Sequence, residues 1–286
     1  MSFAPDAGGS LLLFLPCLPL FLLGFVYGAR QAAFASIIAS IVAGVFSGPG
    51  GAVFFIGFTA LPACYFIYKA LLWRGDEHER QWHSMLAILS ELTVVAATLL
   101  MLVAFLTQTE GGLKELIPAG FVDGFKDADP DVAAMARQLA GEWSFVLFAS
   151  LGWLWVLMLY ALAVLANMIM QIKERALRPS LALEAHGLSS WLLLLLALSG
   201  LMALMGQGLD RFTAEALFLL LLLPYLLCGI AYVHATSSRW HSPMRRLWIT
   251  CFYIALVILR WPALAVIAIG LYVQLAEILD RHKRIG

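Results

Sequence analysis

Four side chains in this sequence stand where a polar group is costly. Glu91 (in MLAILSELTVV), Asn167 (LANMIMQ), His234 (GIAYVHATS) and Arg260 (VILRWPALAV) interrupt long apolar runs. A charged or amide group in such a run needs a partner, a cavity or water. Glu91, about two turns into its run, offers a carboxylate to a cavity or to an interface. Asn167 offers an amide, either to a substrate or to a hydrogen bond between helices. The imidazole of His234 suits a substrate-contacting role; it suits equally the negative end of its own helix. Glu91, Asn167 and His234 are therefore the substrate-binding candidates.

Nothing gathers these residues into a catalytic set. There is no HExxH, no second histidine at helical spacing, no carboxylate pair and no serine in a nucleophile elbow. The chain is not read as an enzyme, and no cofactor is expected. Cys17, Cys64, Cys228 and Cys251 fall one to a segment without a Cys-x-x-Cys spacing. That pattern argues against disulfides and metal ligation, and all four are read as small buried hydrophobes.

The elements that must position these groups follow from composition. The chain is 62% hydrophobic and 13% charged, with a mean hydropathy of +0.90. A soluble domain could not hide so much apolar surface. The expected fold is an all-α polytopic membrane protein, a single membrane domain over 1–286. Charges balance at 18 against 18, so nothing points to nucleic acid, and the lipid bilayer is the first partner. LLLFLPCLPLFLL has no preceding Lys or Arg and no small-residue cleavage site after it, and is read as a retained span.

Nine spans are predicted, at about 9–27, 31–46, 52–73, 85–107, 143–171, 189–206, 214–236, 243–259 and 262–279. Most Lys and Arg fall at one set of span ends; the exceptions are Lys114, Lys126, Arg137, Arg211 and Arg260. Positive charge stays in the cytoplasm, which puts the N-terminus outside and the C-terminus inside. The longest loop, 108–142, is then extracytoplasmic and acidic. Within it DPDVAAMARQLAGEW predicts a helix capped by Asp129 with Pro130 in its first turn, either a connector or a lid. QIKERALRPSLALEAHG is read as lying along the opposite membrane surface.

Small residues recur every four positions in AAFASIIASIVAG: Ala32, Ser36, Ser40 and Gly44, with Ala35, Ala39 and Ala43 beside them. Gly24 and Gly28 repeat the spacing one span earlier. Such rows let helix backbones approach within one chain or between chains, so Gly24, Gly28, Ala35, Ala39 and Ala43 are the partner-docking candidates. SGPGG at 47–51 predicts a tight turn, Pro62 a kink, and Glu277 a pairing with tail cations such as Arg281. RWP at 260–262 is read as the tip of a hairpin: Pro262 starts the last span and Arg260 reaches the outer interface.

Several stretches together resemble the YybS-like family of uncharacterised bacterial polytopic membrane proteins, its alphaproteobacterial members most. They are LPLFLLGFVYGARQAAFASIIASIVAGVFSGPGGAVFFIGFTALPACYFIYKALL, LANMIMQIKERALRPSL, LLLPYLLCGIAYVHA and RWPALAVIAIGLYVQLAEILDRHKR. The resemblance implies a multi-pass protein of the bacterial inner membrane. Members often carry another helix ahead of LPLFLLG, and its absence from this chain is an expectation of the resemblance. The family has been grouped loosely with the substrate-binding membrane subunits of energy-coupling vitamin transporters. On that analogy Ala35, Ala39 and Ala43 would dock a coupling subunit, and separate ATPase subunits would drive transport. Two functions follow as expectations. One is a small-molecule binding or transport subunit; the other is a non-catalytic scaffold that docks other membrane proteins.

Overall fold

A computed structural model describes residues 15–75, 80–106, 129–238, 242–258 and 260–285; side chains at some helical positions, Arg260 and Arg281 among them, lie outside the description. The described helices are α1 (Cys17–Tyr27), α2 (Ala29–Phe55), α3 (Leu61–Ala70), α4 (Met85–Leu106), α5 (Pro130–Glu142), α6 (Ser144–Ile172), α7 (Ser190–Met205), α8 (Gly208–Leu221), α9 (Leu223–Ser237), α10 (Ser242–Ile258) and α11 (Arg260–Ile285). A π-helical turn, Ile56–Ala60, joins α2 to α3. Among the described residues the architecture is all-α but for two short antiparallel strands, β1 (Trp73–Arg74) and β2 (Gln81–Trp82), with Trp73 opposite Trp82.

Among the described residues, five stretches are long and apolar enough to cross a membrane: Ala29–Ala70, Met85–Leu106, Ser144–Ile172, Arg211–Ser237 and Trp261–Asp280. The chain divides into two compact units. One comprises Met1–Ile88 with Val156–Ala182, the other Leu89–Trp155 with Leu183–Gly286.

In the first unit the stretch Ala29–Ala70 doubles back on itself. Gly48 takes φ 76°, a backbone region glycine enters without penalty, and Pro49 follows where a missing N–H costs little. A Cβ on Gly44 would lie 3.2 Å from that of Ala52, so the arm before SGPGG runs beside the arm after it. The irregularity expected at Pro62 takes the form of the π turn just ahead of it, a register shift that accommodates a proline without ending the helix. Gly24 admits Ile67: a Cβ there would come within 2.6 Å of its side chain. Gly28 lies outside α1, at φ 99°, and serves the turn into α2 rather than a helix face.

The segment after α6 is tied into the first unit through Arg178. It is irregular rather than helical, and Arg178 is only 3% exposed. Its Nη1 donates to Ala70 O and its Nε to Ser180 O, both at 2.8 Å, and its guanidinium stacks 5.5 Å above Trp82. A cation at the last carbonyls of α3 offsets their partial negative charge. Leu177 N donates to Phe25 O at 3.0 Å, tying the same segment to α1.

In the second unit α7 and α8 form an antiparallel pair, with Gly200 against Phe218. The predicted seventh span is broken at Leu222, where Pro224 cannot donate to the preceding turn. The largest correction concerns the end of the chain. Helix α11 begins at Arg260 with Pro262 in its first turn, as the RWP reading requires. It does not form a hairpin with α10. Its packing partner is α9, and α10 touches both far less. Gly229 lies against Val266 and Gly270 against Tyr225, so the pair is antiparallel. Two glycines at the crossing bring these backbones together, and α10 has none to offer.

Loop 108–128 lies outside the described residues. The helix expected after it is α5, where Asp129 Oδ1 accepts from Asp131 N at 3.1 Å. Met135 of α5 is exposed. The cysteines divide: Cys17 and Cys228 are buried, Cys64 is half-buried and Cys251 is exposed, so Cys251 is no core residue. Burial there fails because α10 presents most of its surface outward.

Candidate functional site

Helices α4, α7 and α8 of the second unit enclose a cavity of about 550 Å³. Helix α4 supplies Val94, Thr98 and Met101, α7 supplies Ser199 and Met202, and α8 supplies Thr213 and Leu217. Close packing at one end holds the walls apart. Ala104 borders the cavity and also packs with Phe148, Phe212 and Ala216. Gly152 lets α6 meet Leu220 of α8 and Leu100 of α4; a Cβ there would come within 2.7 Å of Leu220. Trp153 Nε1 donates to Leu219 O at 3.0 Å, one turn before the break at Leu222.

The cavity's chemistry is that of hydrocarbon. Thr98 Oγ1 donates to Val94 O and Ser199 Oγ to Leu196 O, both at 2.9 Å, so these hydroxyls are spent on their own helices. Among the described residues, no charged side chain lines it. Met101, Phe105, Leu198 and Met202 are each half or more exposed, and they form an apolar rim open to the side.

A second concavity, of about 600 Å³, lies in the first unit along the α2–π–α3 hairpin. Ala33, Ser36, Ser40 and Gly44 form one wall, and Ala52, Ala60 and Cys64 stand on the other. Its hydroxyls are likewise satisfied: Ser40 Oγ donates to Ser36 O at 2.7 Å and Ser36 Oγ to Ala33 O at 2.8 Å. Among the described residues no group of three or more His, Cys, Asp or Glu could hold a metal.

No family model, curated protein or solved structure matches the chain. The site therefore rests on its own geometry.

That geometry does not gather the residues singled out for substrate binding. None of Glu91, Asn167 and His234 lines either concavity. Glu91 is half-buried in the second turn of α4, between the fully buried Ser90 and Leu92. Asn167 is 2% exposed, and its Oδ1 has no hydrogen-bond partner among the described residues. His234 Nε2 lies 2.7 Å from Tyr253 Oη, an α9–α10 tether rather than a pocket wall. Glu277 accepts from Gly187 N at 3.3 Å; the expected pairing with Arg281 falls on a side chain outside the description.

The docking candidates shift by one row. Ala32, Ser36 and Ser40 are the buried face of α2, while Ala35, Ala39 and Ala43 are half-buried beside it and outside the groove. Sequence reading passed over Thr98, Ser199 and Thr213. A hydroxyl that bonds back to its own helix is nearly neutral in an apolar run, so it leaves no cost for the eye to find.

Proposed function

We propose that this chain is a membrane-embedded binding subunit for a lipophilic small molecule, held between α4, α7 and α8. The supporting observation is that cavity: a volume within the usual range of small-molecule sites, and apolar walls whose hydroxyls are already bonded within their own helices. Its lining favours hydrocarbon over a charged group, because a charge brought there would lose its water without a partner. The lateral rim of exposed hydrophobes suits entry from lipid. Several spans in a bacterial inner membrane, with the larger share of Lys and Arg in the cytoplasm, belong to this reading. So does the transport role implied by the resemblance to the YybS-like family, with energy supplied by separate subunits.

A direct test is titration of the purified protein with a fluorescent fatty-acid analogue. Saturable binding is expected, and Thr98→Trp, which fills the cavity from its exposed wall, abolishes it while the melting temperature holds. Binding indifferent to Thr98→Trp in a folded protein would sink the proposal.

The hairpin groove favours a second reading, a scaffold that docks other membrane proteins. Its small residues would let a foreign helix approach closely. Co-purification from native membrane decides between them: a stoichiometric membrane-protein partner lost in Ala33→Leu supports docking. Loss of no partner removes it.

A further inference from the structure

Helix α10 lies between two stretches able to cross the membrane and is not one itself. It carries Arg245 and Arg246 in its first turns. Its neighbours in sequence fix where it can go. Gly229 meets Val266 and Gly270 meets Tyr225, so α9 and α11 lie antiparallel along each other. Both belong to stretches able to span the bilayer. Two antiparallel spans are joined by an even number of crossings, counting none. Only α10 lies between them, so a crossing by α10 would have made α9 and α11 parallel.

The faces of α10 agree. Met244, Leu247, Trp248, Cys251, Ile254 and Ile258 recur at helical spacing and are all exposed. Arg246, Thr250 and Tyr253 share an exposed face turned well away from that stripe. Arg245, Ile249, Phe252 and Leu256 make a third, half-buried face, and the His234–Tyr253 hydrogen bond ties the helix to the last turns of α9. An apolar stripe, a polar face and a tryptophan with arginines near one end are the parts of a helix that lies in the headgroup region.

We infer that α10 is a membrane-surface helix, its Met244–Ile258 stripe sunk into the acyl boundary of the bilayer that α9 and α11 cross. The partner is a phospholipid surface, with the Arg246 guanidinium placed to reach lipid phosphates. One consequence bears on topology. Arg260 then lies on the same side as Ser237, and the Arg281–Arg284 tail lies opposite it, on the side that a nine-span count would call external.

Thiol accessibility in oriented membrane vesicles tests this. In a chain stripped of native cysteines, Arg246→Cys near the start of α10 and Trp261→Cys just past its end are each treated with a membrane-impermeant maleimide. Labelling of both from the same side is the expected result. Labelling from opposite sides means that α10 crosses, and overturns the inference. Should either variant fail to assemble, Thr250→Cys decides alone. It retains labelling on a surface helix and loses it at the centre of a spanning one.

Discussion

Two places in this chain bring helices together over small residues, and they end differently. Between α9 and α11 each glycine is met by the other helix's backbone: a Cβ on Gly229 would run into Val266 O, and one on Gly270 into Tyr225 O. Along the α2–π–α3 hairpin a longer row of small residues faces its returning arm and leaves a groove of about 600 Å³. What stands opposite makes the difference. Gly44 meets only the side chain of Ala52, and the short side chains of Ala52 and Ala60 leave the rest of the groove open, whereas peptide groups press directly on Gly229 and Gly270. Small-residue spacing states only that close approach is possible; the facing residues decide whether it happens.

The comparison breaks most visibly at Gly270. Gly270→Leu places its Cβ and branch against the Tyr225 carbonyl, which no rotamer avoids. A loss of about 3 kcal/mol or more is expected, as for overpacking against backbone. The melting temperature in detergent falls, and the buried Cys228 on the facing helix becomes reactive to a thiol reagent. A normal melt with Cys228 still protected would show that these helices do not meet as drawn. Arg178→Ala is next. It removes two hydrogen bonds from a buried cation and leaves Ala70 O without its donor, at a cost of about 2–4 kcal/mol. Arg178→Lys should recover only part of that, because one ammonium cannot reproduce the planar fork over Trp82. Ala33→Leu sits at the opposite pole from Gly270→Leu. Its added carbons enter an existing groove, so stability should move by less than about 1 kcal/mol. A large loss there would mean that the groove is closed in the folded protein.

Local chemistry was readable ahead of the structure. SGPGG specifies a turn because Gly48 can take a positive φ and Pro49 cannot extend the incoming helix. Asp129 before Pro130 specifies a helix start by one side-chain hydrogen bond. Pro62 marked the right place, though the π turn it produces depends on how the strained register is absorbed. Pairing of distant helices was not readable. Two adjacent apolar runs separated by RWP look alike whether they fold on each other or not. Only the glycines at 229 and 270, forty-odd residues apart and on different helices, select α9 for α11. The polar residues stand apart from both concavities for a related reason. A side chain such as Asn167 announces the cost of its position without naming what offsets it, and the cavity that did form is lined by residues that cost nothing.

The finest prediction concerns how the cavity end of the second unit is held. At the break between α8 and α9, Leu219 O accepts twice, from Leu222 N at 3.2 Å and from Trp153 Nε1 at 3.0 Å. Trp153→Phe keeps an aromatic ring in a half-buried site and deletes only the indole N–H. Leu219 O retains its bond from Leu222 N, so no acceptor is orphaned. The loss should therefore fall near the modest net worth of one neutral hydrogen bond, about 1 kcal/mol, and not at the higher cost of a stranded group. Trp153→Leu removes much of the ring's packing as well and should cost about 1–2 kcal/mol beyond the Phe variant. Should the two variants melt together, the ring contributes nothing to packing there, and the α6–α8 contact rests on Gly152 meeting Leu220 alone.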